Sequence, residues 1–252
     1  NMDFEDYLAN ILRILRDIQE QGIQHIFNAA KDIPVFHLFP FPELARFKMF
    51  FWQKTIYNDP SLEGKTFSLD ENGEKLARCV DLCRKISEIY SLIPATEIWN
   101  VETTSSFLKQ IDYYYESGLF SSAQDALTIT MKVEEMMAHI RDQAARGYKF
   151  LKDSPPSDRV PNFELFFNEL VVIDNVFVIN FGEYSTAFLV YNSIEYLSTQ
   201  NPVFCARESQ WLENLTARSQ PISKVGERER NRFFRKVEKD IAKLKQKIQE
   251  DL

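Results

Sequence analysis

Few residues in this sequence are of types that do chemistry, and fewer fall at chemical spacing. Cys79 and Cys83 lie one helical turn apart. Such a pair supplies half of a zinc site or a redox couple, but tetrahedral zinc needs further thiol or imidazole ligands at matching spacing. Cys205, His25, His37 and His139 stand singly. The two cysteines therefore read as small buried apolar residues, and no metal is expected. Three histidines in all make a hydrolase with an imidazole base hard to assemble. His37, set among aromatics and prolines, reads as a packed residue. The chain has no Gly-Xaa-Ser-Xaa-Gly elbow, no Gly-Lys-Ser/Thr phosphate loop and no dinucleotide glycine cluster. Glu134, Glu135 and Asp112 are possible acids, yet adjacent helical carboxylates point to different faces and fit solvated charges. The expectation is a chain that is not an enzyme and carries no cofactor.

Two patterns near the C-terminus point to partners. The run Gly226-Glu227-Arg228-Glu229-Arg230-Asn231-Arg232-Phe233-Phe234-Arg235 is dense in arginine. Arg228 and Arg232 are one turn apart and Arg235 is three further on, which suits a phosphate or partner contact or a solvated helix laced with i,i+3 and i,i+4 pairs. Val237, Ile241, Leu244 and Ile248 then recur at spacings of four, three and four. That stripe serves either a dimer seam or the chain's own core, since two heptads alone are marginal. A helix-turn-helix is best sought at Tyr115 to Ser121. The following segment opens Ser121-Ser122-Ala123-Gln124-Asp125, without the arginine or lysine a recognition helix would place there.

The elements that must position these residues follow from periodicity. Helical spacing predicts helices over about 4–29, 43–57, 70–92, 104–117 and 121–147. Three prolines from Pro34 to Pro42 forbid helix between the first two and predict an extended segment. Gly118 ends the fourth helix, and Ser121 or Ser122 caps the fifth. Residues 149–162 read as a linker. Beyond it, 163–174, 176–181 and 186–191 are rich in Val, Ile and Phe, with a turn at Asp174-Asn175 and Gly182 before the third. They predict a three-stranded antiparallel meander, followed by helices over 193–199, 202–217 and 227–251. The expected fold is mainly α: an N-terminal five-helix bundle over 1–148, then a C-terminal α+β part over 163–252 closed by an amphipathic helix.

The chain has 252 residues, 44% of them apolar and 21 of them Phe, enough for a core without disulfides. Three cysteines suit a reducing cytoplasm. No apolar run of about 18 residues appears, so no membrane span is expected. Net charge is −7, yet residues 221–252 hold ten Lys/Arg against six Asp/Glu, a local balance of +4 that leaves −11 on the rest. Asn1 ahead of Met2 fits a tag remnant or a start inside a longer protein.

Five stretches together carry a resemblance. They are 37–44 (His-Leu-Phe-Pro-Phe-Pro-Glu-Leu), 93–99 (Ile-Pro-Ala-Thr-Glu-Ile-Trp), 110–114 (Gln-Ile-Asp-Tyr-Tyr), 210–215 (Gln-Trp-Leu-Glu-Asn-Leu) and 226–234. The set resembles the long C-terminal region of bacterial helix-turn-helix regulators, in which a phage-repressor-type DNA-binding domain comes first. The resemblance spans nearly the whole chain and implies an effector and dimerisation region: a homodimer answering to a small-molecule or protein effector. DNA would be contacted only through an N-terminal domain missing from these residues. The alternative expectation is a stand-alone helical protein–protein interaction module.

Overall fold

Two short strands in the first hundred residues organise the protein. The computed structural model describes residues 4–22, 25–55, 58–151, 161–169, 175–180, 185–192, 195–223 and 226–252. Strand β1 (His25–Ala30) pairs in parallel with β2 (Ala95–Trp99), and β3 (Phe163–Phe167) joins β2 in parallel. On the other side of β1, β4 (Asn175–Asn180), β5 (Ser185–Asn192) and β6 (Glu195–Thr199) follow in antiparallel pairs. Strand β7 (Gln220–Pro221) closes the far edge against β3. The sheet order is β6-β5-β4-β1-β2-β3-β7.

Among the described residues eight α-helices accompany this sheet: α1 (Phe4–Glu20), α2 (Val35–Leu38), α3 (Pro42–Thr55), α4 (Glu74–Leu92), α5 (Val101–Glu116), α6 (Ala123–Arg146), α7 (Pro202–Ala217) and α8 (Glu227–Gln249). The arrangement is α/β. It replaces the expected five-helix bundle with a three-stranded meander, and each change has a physical reason. The expected helix over 4–29 ends at Glu20 and its tail is β1. Ile26 extends the helical period by coincidence, and a strand covered on both faces lacks the alternation that marks a half-buried one. All five residues of β2 are buried for the same reason. The expected helix over 193–199 contains β6. The expected meander of 163–174, 176–181 and 186–191 loses its first member: β3 sits beyond β1 and β2, and the antiparallel run is β4-β5-β6. The expected turn at Asp174 and the position of Gly182 lie outside the described residues. So does 152–160, most of the expected linker. Its described ends are tied together, with the Lys149 N–H donating to Asn162 Oδ1 at 2.8 Å. The one sheet takes β1 and β2 from residues 1–148 and the other five strands from 163–252.

The proline segment also differs from expectation. Pro34 precedes a single helical turn, α2, and Pro42 is the first residue of α3, where a missing N–H is no loss. Local signals hold elsewhere. The Ser122 hydroxyl accepts from the Asp125 N–H at the start of α6, which ends at Gly147 with φ of 75°. Asn100 and Thr103 form a capping box at the start of α5.

The sheet faces are unequal. Ile26, Ala30, Ala95, Trp99, Phe163 and Leu165 point to a thick helical layer containing α1, α3, α4, α5, α6 and α8. Ala29, Ile98, Val176, Val178 and Ala187 point the other way, beneath Cys205, Leu212 and Leu215 of α7. No helix among the described residues is long and apolar enough to cross a membrane.

The stripe Val237, Ile241, Leu244 and Ile248 is buried within the chain, in one cluster with residues of α5 and α6. Truncating it should therefore act on the monomer. Ile241→Ala is expected to cost about 2–5 kcal/mol, and Arg232→Ala, on the exposed side, within about 0.5 kcal/mol. Denaturant unfolding of both variants checks this. A neutral Ile241→Ala that splits a dimer would place the stripe between chains instead.

Candidate functional site

The densest polar constellation lies inside the sheet. Glu97, in the middle of β2, is fully buried. Tyr90 at the end of α4 donates its hydroxyl to Glu97 Oε1 at 2.6 Å. Trp99 Nε1 donates to Oε2 at 2.8 Å, reaching it because residues i and i+2 share a strand face. His37 Nε2 of α2 lies 2.9 Å from Oε2. Burial alone would raise the Glu97 pKa, but the His37 charge and these hydrogen bonds outweigh it and hold it below the usual carboxylate value. Tyr90 moves well upward, through burial and then the adjacent Glu97 charge. Next to Glu97 across the β1–β2 pair is Asn28, fully buried, with neither side-chain polar atom hydrogen-bonded among the described residues.

Lys149 completes the cluster. Its ammonium donates to the Ile93 carbonyl and sits 3.7 Å above the Tyr90 ring. Burial lowers its pKa to about 7 against the pull of Glu97. A cavity of about 20 Å³ beside His37, Tyr90, Gln143 and Lys149 has room for about one water. A second buried lysine, Lys48, lies among the rings of Phe51, Trp52 and Phe107. Burial brings it to about 8.

The second constellation is open. A cleft of about 410 Å³ lies where β1, β2 and β3 begin, against the C-terminal end of α6. Its polar groups include His25, Thr96 and Glu164, which the parallel register brings to one edge of the α7-side face. His25 Nε2 is 2.9 Å from Thr96 Oγ1, and that hydroxyl donates to Glu164 Oε2 at 3.5 Å. Burial lowers the His25 pKa, opposed by Glu164. In a catalytic triad the imidazole stands between hydroxyl and carboxylate; here the hydroxyl stands in the middle, which suits ligand recognition better than nucleophile activation. The opposite ends of these strands, where open α/β sheets generally hold ligands, are filled. Thr103 Oγ1 and Asn100 Nδ2 both donate to the Ala30 carbonyl, and the Asn168 N–H donates to that of Trp99.

The residues singled out in the sequence fall elsewhere. Arg228, Arg232 and Arg235 are exposed on α8. Cys79 and Cys83 are buried where α4 faces α1, and burial pushes the Cys83 thiol up. His139 is 2.9 Å from the Phe150 carbonyl. The Tyr115–Ser121 junction is a turn held by backbone bonds between Phe67 and both Leu119 and Ser121. Sequence reasoning missed Glu97, Lys149, Thr96 and Glu164. The one available signal was a carboxylate in the short, mostly apolar run after Pro94.

No protein-family model, no curated protein and no solved structure matches this chain.

The buried lysines set a pH dependence. Below about pH 7 folded and unfolded chains both hold these protons, and the burial penalty is full. Above it the folded state releases protons that the unfolded chain keeps up to the ordinary lysine value of 10.5. The unfolded state then binds more protons, so stability rises with pH. Tyr90, with its raised pKa, reverses the trend above about 10. Denaturant unfolding should show a gain of roughly 2 kcal/mol per pH unit between pH 7 and 9.5 from the two lysines together, about halved in Lys149→Met. A flat wild-type profile would refute the buried charges.

Proposed function

We propose that this chain is the non-enzymatic effector region of a bacterial transcriptional regulator, which senses a small molecule at the cleft of β1, β2 and β3. The base sequence of DNA would then be read by a helix-turn-helix domain outside these residues. The observation that carries the reading is the cleft itself. It offers about 410 Å³ with His25, Thr96 and Glu164 converging on it, a size and polarity that fit a small ligand. It joins residues from either side of 149–160: β1, β2 and the end of α6 before it, and the start of β3 after it. A ligand bound there contacts both parts and can bias their relative packing. The resemblance of the five stretches supports the same class. The buried carboxylate supports it as well, because Glu97 is held ionised by three donors and is not poised as a general acid.

A regulator that sets two reading heads on DNA half-sites works as a dimer. Light scattering at tens of micromolar should return twice the 29.6 kDa of one chain; a strict monomer would sink the regulator reading. A stand-alone protein-interaction module is the second reading. It is favoured by the exposed Val203 and Trp211 on α7.

Ligand binding has its own test. In a thermal-shift screen of small polar metabolites, a binder at 100 times its Kd stabilises by about 2.7 kcal/mol, or roughly 5–10 °C for a chain this long. Glu164→Ala should remove the shift. A hit that shifts this variant equally lies outside the cleft, and a screen with no hit leaves only the protein-partner form of the proposal.

A further inference from the structure

The outer face of α8 is a continuous line of positive charge. Opposite the buried Phe234, Val237, Ile241, Leu244 and Ile248 stand Arg228, Arg232, Arg235, Lys236, Lys239 and Lys243, all exposed. At 100° per residue they share an arc of about 100°. Along the axis they extend over roughly 22 Å at 1.5 Å per residue. Two acids flanking the arc are paired, Glu238 with Arg141 at 2.8 Å and Asp240 with Lys243 at 3.4 Å, while Glu227 and Glu229 stand exposed near its first turn. Acids of the neighbouring helices are taken by lysines on the sides of α8, Glu134 by Lys245 and Asp112 by Lys247. The first five cations of the line have no ion pair with a described residue.

This arrangement contrasts with the chain around it. The remainder outside 221–252 carries −11, so local stability does not account for gathering six cations on one solvent face. Like charges at i,i+4 weaken a helix slightly. The apolar side of α8 fixes which residues face outward, and the cations occupy that side with no aromatic among them.

We infer that the outer face of α8 docks on the phosphate backbone of duplex DNA. The length and the chemistry favour that occupant. Phosphates recur about every 3.4 Å of axis on each strand of a duplex, so a row of cations roughly 22 Å long is enough to reach several of them on the facing side. An acidic protein partner would need apolar or aromatic anchors at the centre of its interface, and this face has none. Backbone contact is wholly polar and independent of base sequence. The inference stands on the charge pattern alone and holds whether or not the cleft takes a ligand.

The test is fluorescence anisotropy of this chain with a labelled 20-base-pair duplex of arbitrary sequence, between 50 and 200 mM NaCl. A contact with about five phosphates gives a slope of log K against log salt near −4.5, hence a loss of roughly 10²–10³-fold across that range. The variant Arg232→Glu, Arg235→Glu, Lys239→Glu should bind at least a hundredfold more weakly at 50 mM. It alters only exposed positions, and an unchanged circular dichroism melt verifies its fold. The control Arg13→Glu, Arg84→Glu should bind as wild type. Absence of duplex binding at 50 mM salt, or equal binding by the α8 variant, overturns the inference. So does binding of a poly-glutamate peptide in place of the duplex, which would make the partner an acidic protein.

Discussion

The buried charge of Glu97 is the constraint around which the rest of the fold is arranged. Taking an ionised carboxylate out of water costs several kcal/mol even after relaxation. It is tolerable only where donors replace the lost hydration. Here they come from three places: the one-turn helix α2, the end of α4 and the same strand. The proline-bounded segment must deliver His37, and α4 must end where Tyr90 reaches Oε1. Lys149 must follow α6 closely enough to lie over the Tyr90 ring. Moving any one of them leaves a buried charge short of a partner. The apolar clusters supply most of the driving force for folding, but they are tolerant of sliding. The hub is not.

The same strand separates two kinds of site. Glu97 points into the helical layer and is sealed, while its neighbour Thr96 points to the other face and opens on the cleft with His25 and Glu164. The helices are placed unequally on the two faces, and among the described residues the only helix lining the cleft is α6, by its C-terminal end. The ends of the parallel strands that commonly hold ligands in α/β folds are plugged by the capping residues Asn100 and Thr103. The open space is thereby left at the amino ends.

Charge is segregated as sharply as polarity. The body is acidic, and α8 turns its apolar stripe inward and its cations outward. Packing on α5 and α6 is what converts a mixed sequence of Arg, Lys and Glu into a one-sided surface. The lysines on the sides of the helix neutralise the acids of its neighbours, and on the outer face Lys236 and Lys239 have no ion pair with a described residue.

What the sequence determined by itself was local. The amphipathic stripe of α8, the Ser122 cap, the left-handed Gly118 after α5 and the Phe-rich core all follow from side-chain type and short-range spacing, which need no knowledge of the rest of the chain. The arginines were legible as a surface, and their one-sidedness was not. The tertiary structure alone decided that 25–30 and 95–99 are strands. Their residues are buried on both faces, and a doubly covered strand carries no period to read. It alone decided that β3 leaves its sequence neighbours to lie beside β2, because strand pairing is a long-range choice made by burial. And it alone joined His25 to Thr96 and Glu164, and His37 to Glu97 and Lys149. Residues so far apart along the chain meet only through the register of the sheet and, for His37 and Lys149, the packing of α2 and of the segment after α6 against it, which no spacing in the sequence records.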